Sequence, residues 1–327
     1  MEQIVVPDLF CPFPSALNKH AETVQEETLW WSLFYGLLQD GRSRRVFEAT
    51  NVGRLAGRVH AFTGRKELRL ISDFYAWMFL QDDRRDESEV GRHPARLSDE
   101  DRRSLQVLEG DNPTWRDPPS IHALGNLRDR LNSQAPGPGW MRRFVRGVEK
   151  HFEAVTWEAS NRLRGIVPDR DTYARMRPLA GGLAVDDELI ELAGEARLFG
   201  GAREHPTVRR LTLASHRAVC WVNDLVSLEK ELAHDDMHNM VLVLAHAEGL
   251  DLQEAVDLVA RMHDAQVRDF MRLSSLLPSF GAAVDEQLRR YVAALQARMR
   301  GNLDWSRESA RYWRRTQMGP GRGARAS

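Results

Sequence analysis

Asn223, Ser227 and Glu231 stand four residues apart within the helical pattern Thr207–Leu232. That interval stacks them on successive turns of one helix face. Together they offer an amide oxygen, a hydroxyl and a carboxylate, the all-oxygen donor set that a hard divalent cation takes. Lys230 follows Asn223 by seven residues, within about 20° of the same line, where its ammonium can meet a phosphate oxygen. Asn and Ser are poor helix-interior residues because their side chains compete for backbone hydrogen bonds. Their mid-helix position therefore favours a ligating face, although these residues alone leave a solvated polar face or an N-cap open.

A second cluster reads Asp82, Asp83, Arg84, Arg85, Asp86, Glu87. Upstream, Leu68, Ile71, Tyr75, Met78 and Phe79 recur at spacings of three and four, predicting a helix over Glu67–Asp83 with one apolar face. Asp82 continues that face, so a carboxylate sits at the end of an apolar stripe. Mg²⁺ is usually held by one or two carboxylates together with waters and substrate phosphate oxygens. A charged helix end with local Asp–Arg pairing is the ordinary alternative, and Asp86 and Glu87 compete as the second acidic ligand.

The elements that must position these groups are helices. Residues 1–20 are proline-rich and expected to run extended, and helical patterns begin near Ala21. Alternating strand runs are absent. Breakers at Gly91–Pro94, Gly110–Pro119, Ala135–Gly139 and Gly200–Pro206 divide the chain without providing a domain linker. About ten helices in one all-α domain over 1–318 are expected, with 319–327 a disordered tail. The 327 residues, 42% hydrophobic and 28% charged, can bury a large core and enclose a cavity. Nine tryptophans could serve either. A net charge of -1 gives no field to recruit nucleic acid. No apolar run is long enough for a membrane span. Two cysteines and an N-terminus without signal-peptide character fit a reduced, cytoplasmic setting.

The two motifs together resemble those of bacterial class I terpene synthases. Asp82-Asp83-Arg84-Arg85-Asp86 is similar to that family's aspartate-rich motif. Asn223-Asp224-x-x-Ser227-x-x-Lys230-Glu231 is similar to its metal triad. The resemblance implies a single-domain helical bundle of the class I isoprenoid synthase type around a central apolar cavity. It implies three Mg²⁺ ions, with Asp82 bridging two and Asn223, Ser227 and Glu231 holding the third. Arg177, with Arg175 as a rival, resembles the diphosphate-sensing arginine, and Gly181 then takes the place of the backbone effector. Arg311-Tyr312 resembles the Arg-Tyr pair that grips diphosphate, and Trp305 resembles a pocket tryptophan by position. Phe79, one turn before Asp82, would join it in the cavity wall. Relatives are often homodimers.

The implied reaction is metal-dependent ionisation of a linear isoprenyl diphosphate, with Arg177, Lys230 and Arg311 neutralising the leaving group. Cyclisation of the allylic cation then releases a terpene. Farnesyl diphosphate is the expected substrate, with the geranyl and geranylgeranyl homologues open. The Asp-x-Asp-Asp acid of protonation-initiated cyclases is absent. Chain-elongating synthases usually carry two aspartate-rich motifs, which makes elongation the second reading and a non-catalytic apolar-ligand binder the third. Other features read plainly: His216 as a hydrogen-bonded core residue, Cys220 as facing the cavity without a nucleophilic role, and Asp235-Asp236 as a helix-linking loop. The histidines show no zinc spacing.

Overall fold

The computed structural model describes residues 4–87, 94–309 and 311, with the side chains of Asp86, Glu87 and Pro94 outside the description. Tyr312 and the tail also lie outside the described residues. Among those described, the chain forms thirteen α-helices and no strand. Residues 4–20 carry no helix, and α1 (Ala21–Phe34) is the first. There follow α2 (Gly41–Thr50), α3 (Val52–Val59), α4 (Arg65–Glu87), α5 (Pro94–Glu109), α6 (Pro119–Gln134) and α7 (Trp140–Arg164). Next come α8 (Arg170–Ala180), α9 (Leu183–Leu192), α10 (Pro206–Leu232), α11 (Met240–Glu248), α12 (Leu252–Ser274) and α13 (Ala282–Glu308). Thirteen exceeds the expected ten because short helices abut without breaker clusters. Asn51, at φ 55, both ends α2 and caps α3, a left-handed conformation that asparagine tolerates. Gly182, at φ 70, separates α8 from α9 in two residues.

Two apolar clusters build the core. One gathers around α10, which packs chiefly on α12 and also on α13, α8 and α11. The other gathers around α4, which packs on α1, α3 and α6, and includes the inner face of α7. Gly301 lets α13 lie directly on α3, since a Cβ there would meet the Arg58 carbonyl at 2.5 Å. This close approach brings Trp305 beside Phe79 of α4. The two motif helices, α4 and α10, contribute to opposite clusters and line one cavity with α7, α9 and α13. None of the described helices is long and apolar enough to cross a membrane.

Candidate active site

The cavity has a volume of about 260 Å³. Its apolar wall includes Leu55, Val59, Phe74, Met78, Phe79 and Val219. At its mouth stand Asp82 from α4, Asn223, Ser227, Lys230 and Glu231 from α10, and Arg177 and Gly181 from the α8 end. Arg311, beyond α13, closes the ring. These residues span 82 to 311 in sequence, and the fold brings all of them to one opening.

On α10 the four-residue interval produces direct contact. Ser227 Oγ lies 2.7 Å from the Asn223 carbonyl and 2.8 Å from Glu231 Oε1. The other Glu231 oxygen accepts from Asn239, whose side chain also caps α11. Burial, reinforced by the neighbouring Asp224 charge, pushes the Glu231 carboxyl up to about 8. A carboxylate so crowded gains from a cation. Asp82 supplies a second, half-exposed carboxylate 4.0 Å from Arg311. The donors are oxygens throughout, and among the described residues no three of His, Cys, Asp and Glu cluster as a metal cage. That chemistry fits a hard divalent cation.

Arg177 is the better placed of the two rival arginines. Its Nε donates to Asp224 Oδ1 at 2.7 Å and its Nη2 to Asn223 Oδ1 at 2.6 Å. Burial opposes its charge, but Asp224 outweighs this and raises its pKa well above the ordinary arginine value. Asp224 is wholly buried and also accepts from Tyr173 Oη and the Met240 amide. Arg175, by contrast, donates to Thr172 on the exposed side of α8. Pro178 follows Arg177 inside the helix and removes one backbone donor there. At Gly181 a Cβ would lie 3.3 Å from Arg177 Nη1, so the bare backbone keeps that guanidinium's place.

Asp83 faces the opposite bank. Both of its oxygens accept from Arg311, at 2.7 and 3.0 Å, and Lys230 Nζ lies 3.8 Å away. Arg311 also stands 4.7 Å over the Phe79 ring, a cation–π distance. Arg84 and Arg85 turn away and pair with Glu100 and Asp101 of α5.

Three sequence expectations are modified. Trp305 lines the cavity but is also core: it is 1% exposed and donates Nε1 to the Thr50 carbonyl at 2.9 Å. The cavity is less apolar than expected, because Tyr75, Asp186 and Arg298 enter its wall. Asp235-Asp236 does link α10 to α11, yet Asp236 lines the cavity and pairs with Arg162. His216 sits 3.0 Å from Asp187 as a bonded interior residue. Burial pushes the Cys220 thiol up to about 12, which leaves it no nucleophilic role. Glu158 and His151 also line the cavity. Both lie on α7, where no spaced motif distinguishes them from the rest of a long amphipathic helix.

Residues 73–269 match the family model described as terpene synthase family 2, C-terminal metal binding. The chain is 38% identical over 315 residues to a (+)-T-muurolol synthase of Roseiflexus castenholzii, described as cyclising (2E,6E)-farnesyl diphosphate, with 95% of each chain covered. It is 32% identical to a germacrene A synthase of Nostoc punctiforme, covering 95% of this chain and 96% of the relative. Among solved structures it resembles a linalool/nerolidol synthase from Streptomyces clavuligerus, with a TM-score of 0.80 and 26% identity over 91% of this chain and all of that one. The chain therefore belongs to the terpene synthase family, lyases that act on isoprenyl diphosphates, and carries that family's metal-binding region.

Proposed function

We propose that the protein is a Mg²⁺-dependent sesquiterpene cyclase acting on farnesyl diphosphate, with Asp82 and the Asn223/Ser227/Glu231 set as metal ligands. One observation carries the reading: oxygen ligands from two helices and three cationic side chains share the mouth of a cavity lined below by Leu55, Val59, Phe74, Met78 and Phe79. The substrate length follows from the relative described as cyclising farnesyl diphosphate.

Three bound Mg²⁺ ions would supply Lewis-acid neutralisation of the diphosphate charge. Asp86 is proposed as a further ligand beside Asp82. Arg177, Lys230 and Arg311 hold the diphosphate oxygens, and Tyr312 joins them. Before substrate arrives, Asp83 occupies Arg311 and Lys230, and Asn223 and Asp224 occupy Arg177. Diphosphate competes for these guanidinium groups and draws α8 and the segment after α13 together. Heterolysis of the C–O bond leaves an allylic cation, with Gly181, which lines the cavity, as the backbone effector. Phe79 and Trp305 then fold the chain and stabilise passing cations by roughly 0.5–2 kcal/mol each, while the closed mouth excludes water.

The test is incubation of the purified protein with geranyl, farnesyl and geranylgeranyl diphosphates, each with Mg²⁺ and with a chelator. Cyclic C15 volatiles from the farnesyl substrate, dependent on metal, are expected. Turnover unaffected by the chelator would overturn the metal assignment, and longer isoprenyl diphosphates as products would make the protein an elongating synthase.

A further inference from the structure

Two turns before Asp82 on α4, Tyr75 lines the cavity and donates its hydroxyl hydrogen bond to Asp186 Oδ1. Asp186 lies in the first turn of α9 and also lines the cavity. Its Oδ2 accepts from Arg298 at 3.1 Å, while Arg298 is separately matched by Asp187 at 2.8 Å. The neutralisation of Arg298 therefore does not rest on Asp186 alone. On its other side the Tyr75 hydroxyl lies 3.4 Å from His60 Nε2. His60 is completely buried, and its Nδ1 lies 3.0 Å from Glu195 Oε2. The Glu195 side chain is 14% exposed. A chain of proton-exchanging groups thus runs from the cavity wall to the protein surface. A cavity that needed only shape would not require a phenol and a carboxylate in its wall, since buried polar groups cost free energy unless bonded.

Burial, with Asp186 adding to it, raises the Tyr75 pKa well above the ordinary phenol value, so the group stays an O–H donor. Burial opposes a proton on His60, but Glu195 and Asp186 outweigh it and raise its pKa. Both groups are therefore able to hold the protons that a relay moves.

Building on the cyclase reading, we propose that Tyr75 and Asp186 take the proton that ends the carbocation cascade and that His60 and Glu195 return it to solvent. The C–H bond next to the cationic carbon breaks, and its electron pair becomes the new C=C bond. The proton passes to the Tyr75 oxygen as the hydroxyl's own proton moves to Asp186 Oδ1. His60 Nε2, 4.0 Å from that oxygen, then carries the proton onward. The Nδ1 proton of His60 goes to Glu195 and from there to water, which leaves His60 protonated at Nε2. After product release the Nε2 proton exchanges with water in the emptied cavity while Glu195 returns a proton to Nδ1, restoring the starting tautomer.

The experiment compares volatile products from farnesyl diphosphate and Mg²⁺ in H₂O and in D₂O, counted per diphosphate released, for the wild type, Tyr75→Phe and Asp186→Asn. A relay moves an exchangeable O–H proton in the deciding step, so the wild-type product ratios shift by about twofold or more in D₂O. Removing the hydroxyl or the carboxylate changes the profile severalfold and abolishes its solvent dependence. Altered packing alone cannot produce that second result. Identical wild-type profiles in the two solvents overturn the relay whatever the variants do. So does a solvent effect that survives in both variants. If neither variant folds, the wild-type comparison decides. Diphosphate release in the same assay reports on the cyclase reading separately: release with a solvent-insensitive profile removes the relay and leaves the cyclase standing.

Discussion

Arg311 spans both carboxylate oxygens of Asp83, at 2.7 and 3.0 Å, and stands 4.7 Å over the Phe79 ring. Fork-to-fork pairing of this kind holds orientation as well as charge. It joins the segment after α13 to α4 across the cavity mouth. Asp83 thus acts on the site through Arg311, whatever it contributes to metal binding. Asp83→Asn keeps the shape but weakens the fork, so turnover is expected to fall about tenfold or more, the equivalent of about 1.4 kcal/mol. The melting temperature should move little, because Asp83 is partly exposed. Arg311→Lys should be no better tolerated, since an ammonium cannot span both oxygens. Steady-state kinetics with thermal melts checks both variants.

Asp82→Ala and Glu231→Ala are expected to abolish diphosphate release while the fold survives. Burial, with Asp224 adding to it, raises the Glu231 carboxyl to about 8, so its removal relieves the cost of burying an ionisable group in the metal-free protein. Its melting temperature should hold or rise slightly. In the wild type, diphosphate with Mg²⁺ should raise the melting temperature by mass action, and diphosphate with a chelator should not. Equal shifts in the two conditions would count against joint binding of metal and anion.

The parts of this site legible in the sequence were those in which chemistry and helix spacing coincide. Asn223, Ser227 and Glu231 touch because they are four apart on one helix. Asp82 reaches the cavity mouth because it continues the Met78 and Phe79 stripe. Local periodicity is silent about pairs that only the fold creates. Arg311 meets Asp83 from 228 residues away, and Arg298 meets Asp186 from 112. Tyr75 lies on α4 and Asp186 on α9, while His60 follows α3 and Glu195 lies beyond α9, and no spacing links the four. Helix number exceeds the sequence expectation for a related reason: single residues such as Asn51 can end one helix and start the next.

Glu158, partly buried on α7, has its carboxyl pushed up to about 7 by burial, with His238, Arg162 and Arg177 offsetting only part of the effect. Its ordinary value is 4.5. Between those two values the folded state binds more protons than the unfolded state, so stability falls as pH rises through this window. Above about pH 7 the loss is complete. Glu158→Gln carries no such charge. The variant should therefore be more stable than the wild type at pH 8–9, by about 1–2 kcal/mol after allowance for partial solvent access, with the advantage gone near pH 5. Denaturant melts of the metal-free proteins at the two pH values measure it. A pH-independent difference would show that the carboxyl is not burdened by burial.

Phe79 and Trp305 form one aromatic unit, with ring centroids 5.9 Å apart, but they are held differently. Phe79 is partly buried below Arg311, and Trp305 is fixed by its bond to the Thr50 carbonyl. Their loss should therefore read out differently. Phe79→Leu keeps the volume roughly filled and removes the π face, so stability should drop by less than about 1.5 kcal/mol. Product ratios should change, because about 1.4 kcal/mol at a branching cation is tenfold in relative rate. Trp305→Phe also removes the indole donor and leaves the buried Thr50 carbonyl with only the longer bond from Ser309 Oγ at 3.2 Å, which costs about 0.5–1.5 kcal/mol, so a lower melting temperature should accompany the altered products. Volatile profiles counted per diphosphate released, set beside melting curves, separate the two effects. Earlier, less cyclised hydrocarbons from both variants would place the rings along the path of the cation. Unchanged profiles at reduced yield would make the pair a structural brace between α4 and α13, and the choice among products would then fall to other residues of the cavity wall.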